Sequence, residues 1–192
     1  MSSAVRLIFI LTLLGFLLEI ALGPTVLYGF ALWPLHAGFM PWQVVTYAFL
    51  HASLSHFAFN MLGLWMFGKE LELWLGRQVI LRLYFASVLS AAGMQLLVTG
   101  ITGTVYPTVG ASGGVFGILL AYGILFPNRV VMLLFPPIPL PAWLFVTLYA
   151  GLELALGVTG SHEGVAHFAH LGGMMGGYLV IRRWRQRRSR RR

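Results

Sequence analysis

The stretch Ala166-His167-Phe168-Ala169-His170-Leu171-Gly172-Gly173-Met174-Met175-Gly176-Gly177 sets two imidazoles and four glycines in one apolar run. Read as a helix, His170, Gly173 and Gly177 fall at i, i+3 and i+7 and share one stripe. In lipid, burial of apolar surface does not drive helices together. Association relies on close van der Waals approach, which bare glycine backbones allow. A histidine on such a stripe is therefore pressed against a neighbouring helix at membrane depth, where every polar group is costly and needs a reason.

The rest of the chain supplies that membrane setting. Of its 192 residues, 58% are hydrophobic and only 9% charged, with a mean hydropathy of +0.83. Soluble domains carry about a quarter charged residues. Apolar runs close to the ~20 residues needed to cross a bilayer fall at roughly 7–23, 46–68, 78–99, 112–126, 141–157 and 166–183. The fold class expected is all-α, a polytopic membrane protein with six transmembrane helices in one bundle. Residues 1–183 form the membrane domain and 184–192 a basic cytoplasmic tail. The first run resembles a signal-peptide core in length, but no small-residue cleavage site follows it, so it reads as a retained first helix. The aromatic, proline-bearing linker 24–45 suits a segment lying in the interface. Pro136, Pro137, Pro139 and Pro141 exclude a regular helix between the fourth and fifth spans. With no cysteine there is no disulfide framework and no thiolate chemistry.

Charge fixes the expected orientation. Eight of the 13 basic residues lie in the tail from Arg182 to Arg192. With six spans, Arg6, Lys69, Arg77, Arg82, Arg129 and that tail fall on one side, and 24–45, 100–111 and 158–165 on the other carry no lysine or arginine. The positive-inside rule then puts both termini in the cytoplasm, and the tail meets anionic lipid rather than nucleic acid.

Two further polar clusters sit toward the same, non-cytoplasmic ends of their spans. Gly110-Ala111-Ser112-Gly113-Gly114 opens the fourth span. The formal G-x-S-x-G match lacks the strand–turn–helix context of soluble hydrolases. What remains is a serine at a helix N-terminus, where free N–H groups and the positive dipole end favour an oxyanion. An ordinary N-cap serine with packing glycines is the bland alternative. In the second span, His56 and Asn60 are four apart on one face, about 6 Å along the axis, and both can donate toward one point. His51 and His56, five apart, do not share a face, and neither H-E-x-x-H nor a nearby carboxylate supports a zinc site. Plain interhelical hydrogen bonding is the competing account of this cluster. On the fourth span Gly113 and Gly117 are four apart, matching the stripe that bears His170. Their contact would bring His170 to Ser112 as its general base, with Phe116 stacked on the imidazole. His167 is the rival base. The chain has no aspartate. Of its glutamates, Glu70 and Glu72 lie at the far end. Glu163, in the outer loop before His167 and His170, either reaches them or is a solvated loop residue; the second reading is favoured, so a Ser–His dyad is preferred.

The three clusters, in this order and spacing, resemble the rhomboid intramembrane proteases. The run from Trp42 to His51 leading into His56-x-x-x-Asn60 is similar to the family's second-span signature. Gly110-Ala111-Ser112-Gly113 is similar to its G-x-S-G motif, and Ala169-His170-x-x-Gly173-x-x-x-Gly177 to its sixth-span motif. The resemblance covers about 1–183, in the minimal six-span form. It implies Ser112 as nucleophile, His170 as base, and an oxyanion hole made by His56, Asn60 and the Ser112 N–H. It implies Phe116 packed on the catalytic histidine, His51 in a structural or water-organising part, and 24–45 as a membrane-embedded first loop. The Trp-Arg pair often seen in that loop is absent, since Trp33 is followed by Pro34.

The expected activity is hydrolysis of peptide bonds in or near transmembrane segments of membrane proteins, through an acyl-enzyme, with no metal or cofactor. Val158 to Gly164 is expected to act as a movable lid, and the site to face the periplasmic side of a bacterial inner membrane. A proteolytically dead family member lacks support because the four polar site residues are intact. A transporter would spread polar residues along a path and show inverted repeats; neither is seen.

Overall fold

The computed structural model describes residues 3–133, 137–159 and 164–190. Its helices are α1 (Ser3–Leu22), α2 (Pro24–Phe30), α3 (Gln43–Thr46), α4 (Leu54–Gly63), α5 (Lys69–Leu75), α6 (Arg77–Thr102), α7 (Ser112–Leu125), α8 (Ala142–Thr159) and α9 (Gly164–Ser189). A π-helical turn, Leu64–Gly68, joins α4 to α5 in one continuous helical run. Three helices, α1, α6 and α8, are long and apolar enough by themselves to cross a membrane. The fold is all-α, an integral membrane bundle, with one small exception. Between α7 and α8, where the prolines forbid a helix, strands β1 (Val130–Met132) and β2 (Pro139–Pro141) pair antiparallel with Val131 opposite Leu140.

The second span differs from its expected bounds. Its helix begins at Leu54 rather than near 46, because Ser53 takes extended backbone and its Oγ accepts the His56 N–H as an N-cap. The preceding 43–49 is a short helix followed by a 3₁₀ turn. The last helix runs on to Ser189, so most of the basic tail continues α9. Residues 160–163, which include Glu163 and the middle of the expected lid, lie outside the described residues.

α9 wedges between α6 and α7, and glycine is the reason on both faces. A Cβ on Gly177 would stand 2.7–3.0 Å from the backbone O, Cα and C of Gly117, and one on Gly173 would collide with the Gly113 carbonyl. On its other face, a Cβ on Gly176 would meet Ala86 O at 2.5 Å and one on Gly172 would meet Met94 Cβ at 2.6 Å, both on α6. The pairing of Gly113 and Gly117 with Gly173 and Gly177 is the contact the stripes predict. The second stripe was not anticipated.

One end of the bundle gathers the basic residues. The buried Glu72 carboxylate accepts from the backbone N–H groups of Ala4 and Val5 at 2.8 and 2.9 Å, capping α1. Glu70 pairs with Arg129 at 3.1 Å and accepts from Tyr122 Oη at 2.8 Å. Arg188 lies 5.4 and 5.3 Å over the rings of Trp74 and Trp184. At the opposite end, the linker 24–45 is knotted by the buried Gln43. Its Oε1 accepts from the Trp33 and Met40 N–H groups, and a backbone bridge joins Leu32 to Thr108. Gln43 thus anchors the loop without the absent Trp-Arg pair.

Candidate active site

α7 has 14 residues and is about 21 Å long at 1.5 Å per residue, well short of a ~30 Å hydrocarbon core. It cannot cross such a core alone, and Ser112 is its first residue. The segment leading to it is held from three sides. Gly110 N–H donates to Tyr47 O at 3.0 Å, Ala111 N–H donates to His51 Nε2 at 3.3 Å, and the His51 N–H in turn donates to Glu19 Oε2 at 2.8 Å. Gly110 has a φ of +130°, and a Cβ there would stand 2.8 Å from the His56 ring. Both facts require glycine at this position. His51 takes no part at Ser112 itself; it fastens the turn that presents the serine.

Ser112 Oγ lies 2.8 Å from His170 Nε2. The Phe116 ring lies parallel to the imidazole, 4.4 Å away at 5°. The first N–H groups of α7 have no intrahelical acceptor and stay available beside the hydroxyl. His56 reaches the same place from α4, packed on Gly110 and on the edge of His51 at 4.9 Å. Asn60 is buried one turn further along and spends one of its two amide protons on His56 O at 3.0 Å. A cleft of about 580 Å³ opens here between the α4–π run and α8. His56, Asn60, Ser112, Phe116 and His170 line it, together with Phe67, Tyr149 and the strand residues Val131 and Met132. A chain segment could lie in this cleft with a carbonyl at Ser112.

The Ser112–His170 pair has a further polar neighbour, on α8. Glu153, on α8, places Oε2 2.9 Å from His170 Nδ1 and 2.5 Å from His167 Nδ1. His167 is accordingly not poised at Ser112 as a rival base; it bonds the carboxylate. Glu153 is buried and is the one charged residue in α8. The sequence carried a signal for it: Phe145, Tyr149 and Glu153 recur every four residues on one face of the fifth span. Glu153, His167 and His170 also form a cluster of metal-binding residue types, which is taken up below.

An all-α membrane bundle with an alcohol and an imidazole meeting at the N-terminus of a short helix, beside a cleft open between two helices, defines a rhomboid-type architecture. Residues 38–186 match the family model of the Rhomboid domain, and the chain belongs to the rhomboid family. It is 33% identical over 156 residues to Rhomboid protein 1, mitochondrial, of Saccharomyces cerevisiae (76% of this chain, 44% of that protein). It is 30% identical over 141 residues to Rhomboid protease GluP of Bacillus subtilis (72% and 25%). It is 28% identical over 179 residues to Rhomboid protease GlpG of Yersinia pestis (90% and 59%). The chain thus spans from a quarter to three fifths of the length of these relatives.

Proposed function

We propose that this chain is an intramembrane serine endopeptidase that hydrolyses peptide bonds in or near transmembrane segments of other membrane proteins. Residues 1–183 carry the activity, and 184–192 form a basic tail lying on anionic lipid at the cytoplasmic face. Ser112 is the nucleophile and His170 the general base. His56, Asn60 and the Ser112 N–H receive the oxyanion, and Phe116 holds the imidazole in plane. The observation that carries this reading is the 2.8 Å approach of Ser112 Oγ to His170 Nε2.

The steps follow from that geometry. His170 Nε2 takes the hydroxyl proton as Oγ attacks the carbonyl carbon, and the developing oxyanion turns toward the α7 N-terminus. The same Nε2 proton passes to the leaving amine when the C–N bond breaks, and water then repeats the sequence on the acyl-enzyme. An intact substrate helix hides its carbonyls in i to i−4 bonds, so segments that fray at the outer end of the cleft are favoured. Both termini face the cytoplasm of a bacterial inner membrane, with the site toward the periplasmic side.

The test is cleavage of a single-span model substrate. Ser112→Ala and His170→Ala should each bring cleavage to background, and Ser112→Ala should also lose labelling by a serine-reactive phosphonate. Cleavage by Ser112→Ala at the wild-type rate would end this reading.

A further inference from the structure

The function just proposed uses one face of the His170 ring and leaves its other nitrogen unexplained. Nδ1 points at Glu153 Oε2, 2.9 Å away, and the same oxygen meets His167 Nδ1 at 2.5 Å. We propose that Glu153 is a positioning residue that holds His170 in the tautomer and orientation required to activate Ser112, with His167 fixing the carboxylate in turn. This rests on the hydrolase reading above and deepens it, because the site becomes a chain of four groups running from α7 through α9 to α8.

Three observations carry the proposal. The first is direction. A carboxylate only accepts, so the imidazole that bonds it keeps its proton on Nδ1. That leaves the Nε2 lone pair to face Ser112 Oγ at 2.8 Å, the tautomer a general base needs. The second is placement. Glu153 is buried and is the sole charge on an otherwise apolar span. A carboxylate at such depth needs bonded partners and marks a functional position. The two histidines, one turn apart on α9, supply those partners, and their ring planes cross at 84° so that both Nδ1 atoms converge on one oxygen. The third decides between a proton and a cation among these groups. Donors around a tetrahedral Zn²⁺ at 2.0–2.1 Å stand about 3.3 Å apart. The observed 2.5 and 2.9 Å are the separations of charge-assisted hydrogen bonds instead.

During attack the Ser112 proton moves to Nε2, and the ring becomes an imidazolium with its Nδ1–H still bonded to Glu153. The carboxylate faces that new positive charge and keeps its own proton count unchanged. When the amine leaves with the Nε2 proton, the ring returns to the same tautomer, ready for water.

The experiment uses the full-length protein in detergent and in liposomes, with a single-span substrate, comparing wild type, Glu153→Gln, Glu153→Leu and Ser112→Ala. Loss of the positioning carboxylate should lower kcat by roughly 10²-fold or more in the leucine variant. The glutamine variant loses the charge and can turn its amide N–H₂ toward Nδ1, trapping the wrong tautomer, so its kcat should also fall by roughly 10²-fold or more. KM should stay within about twofold in both, and phosphonate labelling of Ser112 should slow in step with kcat. The melting temperature of Glu153→Gln should match wild type. In wild type the His170 Nδ1 proton should resonate far downfield, and that signal should move upfield in Glu153→Gln. Wild-type kcat in Glu153→Leu, or a change confined to KM or melting, would reduce Glu153 to packing and overturn the proposal. Loss of wild-type activity on chelation, restored by Zn²⁺, would put a cation among the three groups and overturn it equally. A wild type that neither cleaves nor takes the phosphonate would instead sink the hydrolase reading, a result distinguishable from both.

Discussion

At the scale of single residues, the site depends on rings and turns held in one orientation. In the proposed mechanism Phe116 acts through its parallel contact with His170. Aromatic pairs of this kind are worth about 0.5–1.5 kcal/mol, so Phe116→Leu should lower kcat by roughly 2- to 12-fold with KM unchanged, measured on the same single-span substrate. Gly110 is less forgiving. A side chain there needs a left-handed backbone, costing about 1–3 kcal/mol, and also drives a carbon to 2.8 Å from the His56 ring. Gly110→Ala should therefore push the His56 ring away from Ser112. The expected outcome is a loss of kcat on the order of 10²-fold with the helical circular dichroism retained.

At the scale of elements, the geometry is decided by how closely helices approach. The α7–α9 contact is backbone on backbone, so an added methyl cannot be absorbed by a side chain moving aside. Gly177→Ala should separate Gly177 from Gly117, open the distance between Ser112 and His170, and abolish cleavage while lowering the melting temperature in detergent. The informative control lies on α6. Gly93 is exposed, with nothing within 4 Å of an added Cβ, so Gly93→Ala gains helix propensity worth up to about 1 kcal/mol and should melt higher with full activity. Two identical substitutions in one bundle should thus move stability in opposite directions. The π turn at Leu64–Gly68 belongs to this scale too. It interrupts the α4–α5 run where Met66 and Phe67 line the cleft, while Gly68 approaches Val5 of α1. Such widened turns recur at functional sites.

At the scale of the whole molecule, charge and termini are arranged by end. The start of α1, the α5–α6 corner, the β-hairpin and the end of α9 are joined through Glu72, Glu70, Arg129 and Arg188. The Glu70–Arg129 pair is substantially exposed, with side chains 35% and 62% accessible, so Arg129→Ala should change stability by less than about 1 kcal/mol. Glu72 is different. It is buried and caps α1 with two backbone bonds, and Glu72→Ala strands those donors at a cost of about 1–3 kcal/mol, to be read as a lower melting temperature. The chain has no cysteine, so orientation can be tested by single introduced thiols. A membrane-impermeant maleimide should label Val105→Cys in intact cells, and Arg190→Cys only after permeabilisation.

The sequence by itself determined the class of fold, the approximate spans, and which side chains had to be accounted for. Hydropathy, lone polar groups and glycine spacing are local patterns that lipid makes expensive to violate. For the same reason the stripe Gly173–Gly177 could be matched to Gly113–Gly117 before any coordinates. Glu153 lies in the fifth apolar run and was assigned no role from the sequence. Its distance to His170 depends on the rotation of α8 about its own axis and on the register of α8 against α9. Neither quantity is encoded by periodicity along one chain segment. The N-cap at Ser53, the second glycine face on α6 and the hydrogen-bonded meeting of three helices at one imidazole follow from packing in three dimensions. There, steric exclusion between backbones selects one arrangement out of the several that the linear pattern allows.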